Sequence, residues 1–476
     1  MIMSDIHHGL DRTHVGIGSL SLDGPGSGVI EPDISSPPIS LLPPELLSLI
    51  FQEACDSTVN GRVPSIIASV SRAWREVATS NPLLWNCVSI TLPLNLNAIA
   101  SKLKLSKESP LDLHIIITDH ETKDKFFESL LPVVAGSYYR CRRLHIEGHS
   151  YHPDNIIQLL LGPMLNLSMP YLEKFTLTGR DSGEEASIET WRGQDLFSAA
   201  PNLKYLCLGG IGLLNYRPPL TNVTTLHLLS PLIWYPYEAF ASLAQSCSNL
   251  TFLAIYDDLF PRGQPNSSGT ACKLPHLESL FLMGTMTSVS ELLLFISAPK
   301  LRELVIAPSI SEDLMLLQMH QRSNALRFPN LQSLTMAPVE PSGFPGFQSA
   351  SECFPALKRL IIAQMYREEF EAIFGEHDPP LFPALRELAV SNVLGSDFLD
   401  VMDRVLKKRG TSNPWIETLF MDTQSIQRID PSRRRWSPYG ENILVEANLW
   451  EEQRLRAMHT EDAFRFLGES DTWQSE

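Results

Sequence analysis

Positive charge is what this sequence is short of: 38 Lys and Arg stand against 54 Asp and Glu, leaving a formal net charge of −16 over 476 residues. So acidic a chain repels phosphate backbones and anionic lipid, which argues against nucleic acid or a membrane surface as the main partner. Long apolar runs are missing too: the longest, around 156–165 and 292–296, fall well short of a bilayer span. Cysteine is sparse, with seven residues at 55, 87, 141, 207, 247, 272 and 353 and no Cys-x-x-Cys spacing. The odd, scattered set fits a reduced intracellular compartment, cytoplasmic or nuclear, with thiols used as small apolar residues instead of disulfides or zinc ligands. The familiar catalytic patterns are also missing. There is no Gly-x-Ser-x-Gly, no glycine-rich phosphate loop closing on Lys-Ser/Thr, and no His-Glu-x-x-His. Neither an enzyme nor a cofactor is expected. The densest group of possible metal ligands is His145, Glu147, His149 and His152. On a strand, His145 and Glu147 would share the outer face, and solvated surface residues explain the group better than a metal does.

What the chain does have begins after residue 38. Residues 1–38 are rich in Gly, Ser, Pro and Asp, with no basic start leading into an apolar core. The expectation there is a disordered tail and no signal peptide. Residues 39–85 are different. Pro43 and Pro44 sit where a helix begins at no hydrogen-bond cost, and Glu45 suits the positive end of that helix. Leu46, Leu47, Ile50, Phe51 and Ala54 recur at helical spacing, too many for one narrow stripe. Asn60 and Gly61 break this helix, and Pro64 opens the next, where Ile67, Val70, Trp74 and Val77 repeat at three and four until Asn81 and Pro82. So short a stretch cannot bury that much apolar surface alone, so one face serves a local core and another meets a partner.

The ordered set Leu42-Pro-x-Glu-Leu-Leu-x-x-Ile-Phe51, then Val70-Ser-Arg-x-Trp-Arg75, then Leu83-Leu-Trp85 resembles an F-box. The resemblance implies binding to an adaptor of the S-phase kinase-associated type, and through it to a cullin ubiquitin ligase. It assigns the adaptor contact to Leu42, Pro43, Leu46, Ile50 and Phe51, with Ile67, Val70 and Trp74 completing or supporting the surface.

Residues 86–430 repeat one unit: a Pro or polar residue, then x-Leu-x-x-Leu-x-Leu. Examples are Pro201-Asn-Leu-Lys-Tyr-Leu-Cys-Leu208, Pro275-His-Leu-Glu-Ser-Leu-Phe-Leu282 and Pro383-Ala-Leu-Arg-Glu-Leu-Ala-Val390. The period runs from roughly 20 to 31 residues, at and beyond the upper range of leucine-rich repeats. In Leu-x-Leu both apolar side chains point to one face of a strand and the residue between points to the other. One such strand cannot bury its face, so the repeats must stack in parallel, with return segments sharing the core. Helices are expected near 123–135, Tyr237–Ser246, 289–297, Arg367–Phe374 and 397–408. The whole resembles an α/β architecture of an F-box followed by a leucine-rich-repeat solenoid with a parallel inner sheet of eleven to thirteen strands.

Alternation also gives the residues that face away from the core. Tyr205, Phe252, Tyr256, Phe281 and Met283 gather there on neighbouring repeats. Exposed, they would form an apolar strip suited to a protein substrate; the other reading is that a loop or the C-terminal segment covers them. Trp234, Tyr235 and Tyr237 either rim that strip or pack locally. Residues 431–476 leave the repeat pattern and are expected to cap the solenoid or trail from it. Two functions remain open: a substrate receptor of a ubiquitin ligase, or a protein-interaction scaffold that delivers no substrate.

Overall fold

A computed structural model describes residues 38–446 except 57–61, 92–94, 118–123, 149–158, 180–193, 211–212, 214–215, 230–234, 257–258, 261–271, 284–288, 308–310, 322–327, 337–343, 364–366, 376–380, 392–397, 399–400, 403, 405–415 and 429–442. Residues 1–37 of the tail expected over 1–38, His149, His152, Trp234 and everything beyond 446 lie outside the described residues.

From Met169 to Leu385 the repeats open on tight turns, and most of these turns hold a proline. In Ala200-Pro-Asn-Leu203 the Leu203 N–H donates to the Ala200 carbonyl at 3.2 Å, and Leu357 to Phe354 and Leu385 to Phe382 repeat the bond at 3.1 Å. Proline has its φ preset for the second position of such a turn and gives up no needed N–H there. The chain leaves the turn as a strand, and fourteen of these strands form one parallel sheet in chain order. They are β1 (Cys87–Ile90), β2 (Leu111–Ile117), β3 (Cys141–Gly148), β4 (Lys174–Gly179), β5 (Tyr205–Gly209), β6 (Thr225–Leu229) and β7 (Phe252–Tyr256). Then follow β8 (Ser279–Met283), β9 (Glu303–Ala307), β10 (Ser333–Met336), β11 (Arg359–Ala363), β12 (Glu387–Ser391), β13 (Thr418–Met421) and β14 (Ile443–Glu446).

The central leucines stack in register, Leu206 on Leu226, Leu253, Leu280 and Leu304. With their Leu-x-Leu partners they line one continuous buried core. A slip of one residue would turn all of them out of that core, so the register is strongly held. The last strand, β14, lies within the stretch expected to cap or trail the repeats, and it extends the sheet beyond thirteen strands.

Helices return on the core side. Those over Asp124–Val134, Tyr237–Ser246, Val289–Phe295 and Arg367–Phe374 fall where periodicity put them; of the fifth, near 397–408, only isolated residues are described. Four more, Leu96–Leu105, Ser311–Gln321, Phe344–Cys353 and Thr423–Arg428, were not anticipated. Ser311–Gln321 carries no clean stripe: Leu314 and Leu317 are buried, while Met315, Leu316 and Met319 stay exposed. Phe344–Cys353 begins with a Pro and a Gly that read as a loop, although proline in the first helical turn costs nothing.

Neighbouring repeats are also clasped outside the sheet. The side-chain amide of Asn202 donates to the Pro170 carbonyl at 2.6 Å, Asn222 to Pro201 at 2.8 Å, Asn249 to Thr221 at 3.0 Å and Asn330 to Pro299 at 2.8 Å. In each the amide reaches back one repeat, to the residue just before the equivalent position.

Ahead of the sheet stands a helical hairpin, Pro44–Asp56, Val63–Val70 and Arg72–Ser80, closed by a 3-10 turn over Pro82–Trp85. The Ser71 hydroxyl caps the third helix by accepting from the Trp74 N–H at 3.1 Å. Asn81 caps the closing turn and also donates to Ser48 Oγ at 2.6 Å, tying the end of the hairpin to its first helix.

Candidate functional site

The hairpin has its own core. Leu47, Phe51, Ile67, Ala78, Leu84 and Trp85 are buried together, with Leu42, Trp74 and Leu105 partly buried against them. The rings of Phe51 and Trp74 lie 4.8 Å apart, and the Trp85 indole donates to the Ala78 carbonyl at 2.8 Å. Leu105 belongs to helix Leu96–Leu105, so this core also fastens the hairpin to the start of the sheet.

A second apolar face is left over. Leu46, Leu49 and Ile50 follow one another at three and four on the first helix, and all are about half exposed or more. Ile66 and Val70 do the same on the second helix, at 60% and 58%. Of the eight residues that the sequence assigns to an adaptor, Pro43, Leu46, Ile50 and Val70 are exposed, and Leu42 and Trp74 are half-buried. Phe51 and Ile67 are buried, at 2% and 7% exposure: Phe51 lies in the hairpin's own core instead of on its open face, and Ile67 supports that face from within. The four-residue spacing that places Phe51 beneath Leu47 is the reason. Leu49 and Ile66 were missed, although both sit one turn from assigned residues, Ile66 from Val70 and Leu49 from Leu46.

The far face of the sheet, turned away from the main core, is organised in three rows. Nearest the start of the strands are Arg143, Lys174, Tyr205, Thr225, Phe252, Ser279, Glu303, Ser333, Arg359, Glu387 and Thr418; all but Tyr205 are exposed or half-buried. The second row is buried from His145 through Thr176, Cys207, His227, Ala254, Phe281, Val305, Thr335 and Ile361 to Ala389, and half-buried beyond it at His114 and Phe420. The third row, including Glu147, Thr178, Tyr256 and Met283, is buried as well.

The aromatic strip therefore has the expected direction but not the expected exposure. Tyr205, Tyr256, Phe281 and Met283 are buried, and only Phe252 keeps open surface. They form a second apolar cluster with Cys207, Leu229, Ala254 and Val305, separate from the main core. Strand spacing is close to the spacing of packed rings, so side chains one strand apart cover each other. The Tyr205 ring lies 4.9 Å from His227, His227 lies 5.4 Å from Phe252, and Phe252 lies 4.8 Å from Phe281. A parallel sheet buried on both faces is the ordinary outcome. Tyr256 accepts or donates a 3.0 Å hydrogen bond with His227 Nδ1, and burial holds its phenol well above the usual range.

The same burial corrects the histidine reading. His145 Nε2 lies 3.2 Å from Glu147 Oε2, and both side chains are buried, not solvated. His114, one strand over with its ring 5.7 Å from His145, is held down to about 4, first by burial and then by His145. Among the described residues, no group of three or more His, Cys, Asp or Glu is placed to hold a metal ion. Among them too, no helix is long and apolar enough to cross a membrane. Tyr235 and Tyr237 pack locally: the Tyr237 ring stacks on Phe260 at 4.8 Å and meets Phe295 edge-on at 5.2 Å.

No known family model matches the chain, and no curated protein matches it. Among solved structures it is similar to an internalin, InlF, from Listeria monocytogenes, at 16% identity and a TM-score of 0.31, over 76% of this chain and 92% of that one. It is also similar to a chain of the Rad7 and Elc1 complex in yeast, at 13% identity and a TM-score of 0.30, over 86% of this chain and 94% of that one. Likenesses this distant decide nothing about function. What the chain itself displays is a mixed α/β stack of repeats on one long parallel sheet, preceded by a helical hairpin with a second, unburied apolar face.

Proposed function

We propose that this protein is the substrate-recognition subunit of an SCF-type cullin ubiquitin ligase, non-catalytic itself, with the hairpin as an F-box and the repeats as the client-binding part. The observation that carries the reading is the second apolar face of the hairpin. A hairpin already possessing a closed core around Phe51 and Trp85 has no folding use for exposed Leu46, Leu49, Ile50, Ile66 and Val70. Exposed apolar residues of this kind are what an interface core needs. The ligase chemistry belongs to other subunits. This chain contributes proximity, raising the effective concentration of client lysines near the charged conjugating enzyme.

The test is co-purification of the S-phase kinase-associated adaptor and cullin with the full chain. Leu46→Asp together with Ile50→Asp places charge on the exposed face and leaves Leu47 and Phe51 in the core. Adaptor affinity should fall by about a hundredfold or more, as for loss of two anchor residues, with an unchanged melting temperature. Unaltered adaptor recovery with the double variant refutes the assignment. A client that accumulates under proteasome inhibition separates the receptor from a scaffold that delivers nothing.

A further inference from the structure

The repeats offer a client little of the apolar strip, because its second and third rows are closed. What is open is the first row, and its residues are not distributed at random. At one end Arg143 and Lys174 are direct partners across β3 and β4, two cations facing each other on adjacent strands. Like charges in that relation repel. The nearest acid on the neighbouring strand, Asp112, is already held by Arg142, whose Nε and terminal nitrogen reach its two oxygens at 3.1 and 2.7 Å; Arg143 stands farther off, at 3.9 Å. Glu147 is buried beside His145, so the exposed Glu173, next to Lys174 in the chain, is the acid left within reach of the pair. Lys174 lies with its Nζ 5.3 Å from the centre of the Tyr205 ring and has no ion pair among the described residues. Burial first and then Arg143 lower its pKa, and Asp112 and Glu173 offset this only in part. In a chain of net charge −16, this is a local reversal of sign.

From there the open row continues through Thr225 to Phe252, the one aromatic of the strip with free surface, and reaches its first acid only at Glu303. Resting on the receptor reading above, we infer that the row from Arg143 to Phe252 binds an acidic segment of the client, its carboxylates on Arg143 and Lys174 and an apolar side chain on Phe252. Three to four strand spacings separate the cations from Phe252, roughly 14–19 Å. An extended peptide covers that in about four to six residues. The recognised chemistry is therefore an Asp or Glu run with a Phe, Leu, Ile or Trp about four to six residues away.

The inference is tested by selecting displayed random dodecapeptides on the full chain, without any ligase subunit. Selected peptides should be rich in Asp and Glu with an apolar residue at that spacing, and a labelled peptide from the selection should bind more weakly as salt rises. Arg143→Glu with Lys174→Glu should weaken it about tenfold or more, and Phe252→Ser should weaken it separately, while adaptor recovery is unchanged for both. Neutral or basic winners, or a peptide indifferent to the charge reversal, overturn the inference. So does competition by inorganic phosphate at the same concentration as the peptide, which would mark a small-anion site. Because the adaptor is absent from the peptide measurement, failure of the F-box assignment and failure of this one are read separately.

Discussion

Replacing Phe281 by alanine asks the most of the far-face cluster. The ring is fully buried, its in-register neighbours are Ala254 on β7 and Val305 on β9, and both are fully buried too. Neither short side chain can swing in to fill the space, because each is fixed by its own strand. Truncation should therefore cost about 3–5 kcal/mol, the range for removing a buried phenylalanine where the site cannot collapse. Phe252→Ala, at a half-buried ring 4.8 Å away, should cost about half as much. The two should not add: the lost ring contact is shared, so the double variant should fall short of the sum by about 0.5–1.5 kcal/mol. Urea unfolding of wild type, both single variants and the double variant measures this, with far-UV circular dichroism and tryptophan fluorescence followed together to check cooperativity. A cost below about 1 kcal/mol for Phe281→Ala, typical of a surface position, would mean that the far face is open and the second cluster does not exist.

Arg140 is 4% exposed and donates to the carbonyls of Ser109 and Leu103 and to Ser106 Oγ, at 2.7, 3.2 and 3.0 Å. Arg140→Met should cost about 2–3 kcal/mol by stranding buried acceptors, and Arg140→Lys should recover only part because an ammonium cannot fork among three acceptors; a neutral Arg140→Met would contradict this. Burial pushes the thiols of Cys141, Cys247, Cys272 and Cys353 up to about 12. In the unfolded chain they ionise near ~8.5, so between that pH and 12 the unfolded state sheds protons that the native state keeps, and stability falls as pH rises. A urea midpoint that declines from pH 8 to pH 10, with a shallower decline in Cys247→Ala, is the expected outcome; a flat profile in wild type would count against it. Native alkylation should correspondingly spare all four and reach only the half-buried Cys55 and Cys87.

Much of this was legible in the chain because the turn and the strand carry separate, local signals. Proline in the turn and leucines at period two fixed nearly every strand from β2 to β13, and the same alternation assigned side chains correctly to the two faces. What alternation does not carry is the number of layers. It turned Phe281 and Tyr256 away from the core but said nothing of Ala254, Val305 and His227 packing beside them. Exposure depends on residues one strand over, which lie 20 to 30 positions away in sequence. The adaptor face shows the same limit on a smaller scale. Phe51 and Ile50 are adjacent in a motif whose resemblance names both, and only the 100° step of the helix sends one inward and the other out. Strand β14 and helix Ser311–Gln321 escaped because neither has a strong pattern of its own, and both are held by the neighbours they stack on.

The asparagine clasps give the stack a weak end. Asn202, Asn222, Asn249 and Asn330 each tie a repeat to the one before it, and in the gap between them Lys300 reaches His276 at 3.2 Å. At the same position in the later repeats stand Ala356, Ala384 and Trp415, with no amide to offer. Each exposed clasp contributes only ~0.5–1 kcal/mol, but in an array whose repeats touch only their neighbours such increments set where opening begins. Amide exchange should run faster in β11 to β13 than in β5 to β7, where Asn202, Asn222 and Asn249 hold successive repeats, so the stretch from Lys174 to Phe252 sits in the tightly clasped part of the stack.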